Sequence, residues 1–523
     1  MGLFTEDADI NADKLIRIWV SEGFLKTTSH KKLEEVAEEC LVDLVSRSLI
    51  IVSRRGASGK IRSCRIHDLV RLLCLREGED AKFFHVKGKC FKVSPEGKQV
   101  IRRLCLHPDD LQNKNLGLEK DSLDSVRTIL CLGEPNTYLE DPECCKKINS
   151  RFQLLRVLDL ESIRFSCFPS EITQLVQLRY VACTTGTDVP ASISNLWNLQ
   201  TLINQLSLPQ EVWKLSSLRH FNPGGMCVHA PSITHNILGL ENLETVDSTR
   251  TANSNWKEIF SAVPRVQKLG VLIHPDHNGW SKFIGSLVSL ADLQKLRIHL
   301  AIPSSGRNWN LNEGGFMKLK LLHIFMTNLV HWEATSDSLP SLECLILRHC
   351  YYLEVPTEIG DIPTLELIEH HYCSQASVTS AEEILEEEQS YGNEILVVRT
   401  CNTGVQYFDM KREGDEEVAV ASTNESDMTY NHTSNMASNV VAKMRAEVIN
   451  VKSEDLMKLI GQHKNRCIED EELIYLHWAA ANFDNTSIDS PNSRYSSSDL
   501  FLDRAANRVE IWPLQRYQVQ KDG

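Results

Sequence analysis

From about Leu154 to Ile368 the apolar positions recur at a period of roughly two dozen residues. The anchors run Leu155-x-x-Leu158-x-Leu160, Leu178-x-x-Val181, Leu199-x-x-Leu202, Leu218-x-x-Phe221 and Leu243-x-x-Val246. They continue as Val266-x-x-Leu269-x-Val271, Leu293-x-x-Leu296-x-Ile298, Leu319-x-x-Leu322-x-Ile324, Leu342-x-x-Leu345-x-Leu347 and Leu365-x-x-Ile368. A second phrase is interleaved: Phe168-Pro169-x-x-Ile172-x-x-Leu175, Val189-Pro190-x-x-Ile193-x-x-Leu196, Leu208-Pro209-x-x-Val212-x-x-Leu215 and Val355-Pro356-x-x-Ile359-x-x-Ile362.

Alternation such as Leu158/Leu160 sets two side chains on one face of a short strand. Leu155 turns in to meet them, and the proline phrase closes the outer side of the same coil. One coil cannot bury its apolar face alone, so each needs neighbours above and below. This is the signature of a leucine-rich-repeat α/β solenoid. Its strands line a concave surface whose outward positions are free to vary, a surface suited to protein recognition. Stacked helical repeats are the alternative, but they need a longer spacing.

Residues 1 to about 90 follow another pattern. Leu15-Ile16-x-Ile18-Trp19-Val20 predicts a short buried helix stopped by Gly23. Leu33, Val36, Ala37, Cys40, Leu41, Leu44 and Val45 form an amphipathic stripe, with Lys31, Lys32, Glu34, Glu35, Glu38 and Glu39 on the wet side. Leu49 to Val52 reads as a strand, Arg54 to Gly59 as a turn and Lys60 to Ile66 as the returning strand. Asp68 is the expected cap of a third helix, Leu69 to Leu75. Helices followed by a hairpin wing describe a winged-helix domain.

Three separated phrases of this region make a specific resemblance. Gly2-Leu3-Phe4-x-Glu6-Asp7, Leu15-Ile16-x-Ile18-Trp19-Val20-x-Glu22-Gly23-Phe24 and Ile66-His67-Asp68-Leu69 resemble the winged-helix part of plant NLR disease-resistance proteins, the coiled-coil class of nucleotide-binding, leucine-rich-repeat immune receptors. Ile66-His67-Asp68 is similar to that family's Met-His-Asp motif. The resemblance covers roughly residues 1 to 400. It implies that His67 contacts the phosphate of bound ADP, with Asp68 as motif partner or helix cap. An imidazole N–H can donate to a phosphate oxygen. The alternative is that His67 only closes the wing hairpin.

A phosphate cradle needs G-x-x-x-x-G-K-[ST]. Gly59-Lys60, Gly88-Lys89 and Gly97-Lys98 are the only Gly-Lys pairs, and none has the upstream glycine or the following hydroxyl. The nucleotide-binding core of the family has no counterpart in this sequence, and the winged helix reads as clipped at its N-terminus. ADP or ATP is therefore a cofactor of the full-length family, and no cofactor is expected for this chain alone.

A length of 523 residues calls for more than one domain. The net charge of −14 argues against a bulk nucleic-acid or membrane-surface binder. Sixteen cysteines lie without framework spacing, which suits a reducing compartment. The N-terminus has no secretory pattern, and no apolar run reaches membrane-spanning length, so a cytoplasmic chain is expected.

Residues 91–150 read as a connector with the first irregular strands, at Ile101 to Leu106 and Val126 to Leu132. In the array, Trp256, Trp280, Trp309 and Trp332 are recognition candidates, since Trp is favoured at interface hot spots. Packing against the next coil is the other reading for each. Adjacent His370 and His371 face opposite ways on a strand, which argues against metal ligation. Ser380 to Gln389 predicts a polar helix covering the last coil, and Glu394 to Thr400 a closing strand. Residues 401–523 are expected to be largely disordered, with short helices.

The fold expectation is thus α+β: a winged-helix domain (1–90), a connector (91–150), a leucine-rich-repeat horseshoe with a capping helix (151–400) and a mostly irregular extension (401–523). The function expectation is non-enzymatic: a portion of an intracellular plant immune receptor. Its repeats would bind a pathogen effector, a guarded host protein or a receptor's nucleotide-binding core, with the winged helix as a regulatory hinge. The alternatives are a nucleic-acid binder using the wing cations Arg54, Arg55, Lys60, Arg62 and Arg65, or a degenerate copy acting as decoy or without output. Nucleic acid is the disfavoured partner, because the second helix presents Glu34, Glu35, Glu38 and Glu39. A ligase substrate adaptor would carry an F-box-like N-terminus, which the winged-helix phrases do not resemble.

Overall fold

The computed structural model describes residues 1–4, 8–26, 31–81, 83–86, 101–112, 125–133, 137–139, 143–204, 209–223, 239–249, 256–273, 279–300, 307–311, 315–325 and 329–401. The chain divides into Met1–Thr403 and Gly404–Gly523. All described residues belong to the first unit, so the extension expected over 401–523 lies, beyond Cys401, outside them.

Strand β1 (Ile10–Asn11) leads into helix α1 (Ala12–Glu22). The Asn11 side chain accepts from the Lys14 N–H at 2.9 Å, so it caps the helix. Gly23 ends it with φ 83°, a left-handed conformation that costs glycine little. The helix is apolar on three sides because three bodies bury it. Leu15 joins the core under the hairpin, Ile16 and Val20 pack on Ala37, and Ile18 packs on the repeat sheet. Helix α2 (Leu33–Ser46) follows, then β2 (Ile50–Arg55) and β3 (Ile61–Ile66), antiparallel and joined at the wing tip. The small sheet has the order β1-β3-β2. Helix α3 (Asp68–Asp80) closes the domain.

The cap of α3 falls one residue earlier than expected. The His67 carbonyl accepts from the Arg71 N–H at 2.8 Å, and His67 Nδ1 accepts from the Leu69 N–H at 3.3 Å. Asp68 instead stands in the first turn, where its charge complements the helix dipole.

The repeat sheet starts earlier than residue 91. Its strands are β4 (His85–Val86), β5 (Arg103–Leu106), β6 (Thr128–Cys131), β7 (Thr137–Leu139), β8 (Val157–Phe165), β9 (Tyr180–Thr185), β10 (Thr201–Ile203) and β11 (His220–Asn222). It continues through β12 (Thr245–Thr249), β13 (Lys268–Ile273) and β14 (Lys295–Leu300). A separate two-stranded sheet pairs β15 (Arg307–Asn310) with β17 (Leu329–Glu333). The main sheet resumes with β16 (Leu321–Phe325), β18 (Cys344–Arg348), β19 (Leu367–His371) and β20 (Val397–Cys401). Among the described residues fifteen strands form this one parallel sheet: fourteen follow one another in chain order, and β7 pairs with β8 beside that path.

The proline phrase works as its chemistry implies. Pro169, Pro190, Pro209 and Pro356 are extended, and each carbonyl accepts from the apolar residue three positions on: Ile172, Ile193, Val212 and Ile359, at 3.0 to 3.2 Å. A single 3-10 turn results, and it buries that residue behind the strands. Elsewhere the back of the array is helical, as at α4 (Pro108–Gln112), α5 (Glu143–Arg151), α6 (Trp256–Ser261) and α7 (Gly279–Leu287). Helix α8 (Gln375–Ser390) matches the expected polar cap and buries Val378, Ala381 and Ile384. One continuous core of the anchor leucines runs from Ile101 to Leu396.

Candidate protein-recognition site

Side chains alternate along each strand, so the residues between the anchors face away from the core. On β8 and β9 these are Val157, Asp159, Tyr180 and Ala182, and all four are 0 % exposed. This part of the concave face is covered, and its cover is the winged helix. Ile18 of α1 packs with Leu130, Val157, Tyr180 and Ala182, with Leu3 and Ile203 at the edges. Farther along the array, Ala57 at the wing tip packs on Cys344, Ile346 and Leu367.

Charged pairs fix the register of this contact. Lys14 Nζ lies 2.6 Å from Asp159 and 3.0 Å from Glu161. Burial alone would lower the Lys14 ammonium, but the two carboxylates hold it well above its ordinary value. Glu34 of α2 meets Arg219 at 2.6 Å and His220 Nε2 at 3.1 Å. Burial pushes the Glu34 carboxyl up, while the His220 hydrogen bond and the Arg219 charge outweigh it and bring it to about 2. Lys32 reaches Glu244 at 3.2 Å, and Glu244 also pairs with Arg219 at 3.1 Å. At the first strands Glu22 pairs with Arg103 at 3.1 Å and accepts from the Thr128 hydroxyl. The Arg103 guanidinium lies over the rings of Phe24 and Phe83, at 4.7 and 4.1 Å.

These pairing residues were hidden in the sequence. Lys14, Glu34, Asp159, Arg219 and His220 each look like a solvated polar position. One faint signal existed: Asp159 sits between Leu158 and Leu160, a charge inside an otherwise apolar strand.

Three of the four tryptophan candidates go to packing. Trp256 is 4 % exposed and stacks in a cluster with Phe260 and Phe283, at centroid distances of 5.5 and 5.0 Å. Trp309 and Trp332 are 1 % and 5 % exposed and lie cross-strand, 5.8 Å apart. Trp280 stands at the start of α7, and its side chain lies outside the described residues. Among the described residues, the exposed tryptophan is one the pattern did not single out, Trp197 at 57 %. His370 faces the core and His371 the concave side, where its Nε2 is 2.6 Å from Glu369. Among the described residues no cluster of side chains has the makings of a metal site.

His67 is exposed. With Nδ1 accepting from the α3 backbone, the neutral ring carries its proton on Nε2, an available donor.

The sequence model of the disease-resistance-protein winged-helix domain matches residues 3–74, and that of a leucine-rich-repeat region matches residues 140–368. A putative late blight resistance protein homolog of Solanum demissum is 28 % identical over 450 residues, covering 74 % of this chain and 34 % of the relative. Late blight resistance protein R1-A of the same plant is also 28 % identical, over 451 residues, covering 74 % of this chain and 35 % of the relative. This chain therefore spans about a third of the length of those relatives. A solved internalin from Listeria monocytogenes aligns over 56 % of this chain and 92 % of its own, with 13 % identity and a TM-score of 0.33. The chain carries, in order, the winged-helix domain of disease-resistance proteins and a leucine-rich-repeat region, the pairing of modules of the plant NLR type.

Proposed function

We propose that this chain works in plant immunity as a protein-recognition element whose winged helix regulates access to the repeats. The observation that carries the reading is the docking of the winged helix on the concave sheet through Lys14–Asp159 and Glu34–Arg219. A recognition surface covered by its own neighbouring domain is a two-state element, and a partner that prefers the open state shifts it. The partner is a pathogen effector, a guarded host protein or the nucleotide-binding core of a receptor. The chain binds rather than catalyses, and it does so in the cytoplasm. Among the described residues no helix is long and apolar enough to cross a membrane.

His67 Nε2 is a suitable donor to a phosphate, but one donor does not replace an amide cradle. The nucleic-acid alternative loses ground because the wing is engaged within the chain. Arg54 pairs with Asp9 at 2.9 Å, Lys60 with Glu38 at 2.8 Å, and Arg55 donates to the Gly59 carbonyl.

The test is binding of a panel of pathogen effectors and resistance-protein nucleotide-binding cores. Full-length chain is compared with the Lys14→Ala/Glu34→Ala variant. The expected result is a partner that binds the variant more tightly than the native chain. Folded protein of both kinds that binds no member of the panel overturns the proposal.

A further inference from the structure

Two neighbouring coils of the array repeat one backbone detail. At the ends of β18 and β19, Arg348 stands opposite His371. The residue after each, His349 and Tyr372, has a positive φ, 51° and 53°. That conformation is costly for any residue that carries a Cβ, and most of all for a bulky one. In both coils it turns the next residue inward, and in both that residue is a cysteine. Cys350 is 0 % exposed and Cys373 is 2 % exposed.

The register sets Cys350 opposite Cys373, two places beyond Arg348 and His371. Backbone bonds on either side hold the coils together there. The His349 N–H donates to the His371 carbonyl at 2.9 Å, and the Ser374 N–H to the Cys350 carbonyl at 3.3 Å. Adjacent strands are about 4.8 Å apart. A disulfide spans Cα separations of roughly 4.4–6.8 Å, so the spacing fits one. The thiols also point alike. Cys350 Sγ donates to the carbonyls of Arg348 at 3.4 Å and Ile324 at 3.7 Å. Cys373 Sγ donates to those of His371 at 3.5 Å and Leu347 at 3.3 Å. The two side chains share a hydrogen bond as well. It is the first reason that the Cys373 thiol lies below its ordinary value, ahead of the burial that would raise it. Neither is part of a disulfide in this structure.

We propose that Cys350 and Cys373 are a redox-sensitive pair, which hydrogen peroxide closes to a disulfide that staples the two coils next to the capping helix. One thiolate attacks a peroxide oxygen, the O–O bond breaks, and a sulfenic acid and hydroxide result. The second sulfur then attacks the first. The S–S bond forms, the S–O bond breaks, and the oxygen leaves as water with the second thiol's proton. The hydroxide takes the first thiol's proton, so the pair gives up two hydrogens and the peroxide becomes two waters. In a reducing compartment the dithiol is the resting form, and the disulfide persists only while peroxide outpaces the thiol pool. Helix α8 begins at Gln375, two residues past Cys373. Fraying of this end of the array must draw Cys373 away from Cys350, and the covalent bond forbids that step.

The experiment treats the folded full chain with hydrogen peroxide, then blocks the remaining thiols with a maleimide in denaturant. A Glu-specific protease follows, because Glu354, Glu358, Glu366 and Glu369 separate the two cysteines. Mass spectrometry should find a Cys350–Cys373 cross-linked peptide that dithiothreitol cleaves. Amide exchange of α8 should slow by roughly tenfold or more in the oxidised chain and recover on reduction. Cys373→Ser should lose both effects, and Cys167→Ser, at a half-buried cysteine elsewhere, should keep both. Circular dichroism checks that the variants fold, and the cross-link in the native chain stands without them. The proposal is overturned if both cysteines are recovered as maleimide adducts under conditions that oxidise Cys167. Pairing of either with a different cysteine overturns it too, as does a Cys350–Cys373 bond that leaves α8 exchange unchanged.

Discussion

Lys14 and Asp159, 145 positions apart in sequence, meet at 2.6 Å across the face between the winged helix and the repeats. Asp159 is wholly buried, and burial holds its carboxyl above the ordinary range despite the ammonium beside it. Removing the cation leaves a buried acid with its nearest partner gone. Lys14→Ala should cost about 3 kcal/mol, whereas Lys14→Met/Asp159→Leu should return close to native stability. Urea unfolding of the three proteins checks this. Equal stability of the single variant and the native chain would show that the pair is not closed in solution.

The Glu34 contact sets an acid limit on docking. Its carboxyl lies at about 2 in the folded chain against an ordinary 4.5. A depressed acid contributes stability that is fully present above 4.5 and is lost as pH falls from there toward 2. Glu34→Gln should remove that part of the pH dependence and leave the profile above pH 4.5 parallel to the native one. Stability measured across the acid range in both proteins provides the comparison.

Trp309 and Trp197 should behave in opposite ways. Truncating the buried, stacked Trp309 to alanine should cost about 4 kcal/mol. Trp197→Ala, at an exposed position, should stay within roughly 0.5 kcal/mol. Melting curves of the two variants separate packing from surface. A silent Trp309→Ala would contradict the burial of that ring.

Lys295 should be a residue the fold tolerates at a cost. Its folded pKa of about 8 lies below the ordinary 10.5, so the unfolded chain binds more protons between those values. Stability should therefore rise with pH from about 8 to 10.5, and Lys295→Met should flatten that rise. At neutral pH the same variant should be more stable by about 1 kcal/mol, because it removes a buried ammonium that is also crowded across the strands by Lys268. A destabilised variant would show that the ammonium has a partner in solution.

His67→Ala should cost about 1 kcal/mol, the ordinary loss of a helix cap, while Asp68→Ala should cost less. Hydrogen exchange of the α3 amides reports it directly. If Asp68→Ala is the more costly change, the cap lies where the sequence first put it.

The solenoid was legible because its grammar is local and repeated. Each Leu-x-x-Leu and Pro-x-x-Ile states its own coil, and every coil says the same thing. The winged helix was legible from helical stripes and a hairpin turn. What stayed hidden was the contact between the two. Ile18 reads as one more apolar helix residue, and nothing local distinguishes burial on Ala37 from burial on Tyr180. Ion pairs between residues more than a hundred positions apart leave no periodicity. The tryptophans stayed ambiguous for a related reason: size and chemistry suit them equally to a hot spot or to a core, and only neighbouring coils decide.

The winged helix on the concave sheet makes this molecule its own competitor. Any outside protein that reads those strands sees only the undocked fraction, so its apparent affinity falls by that fraction. Affinity for such a partner can then be tuned at Lys14 or Glu34, without altering a single residue the partner touches.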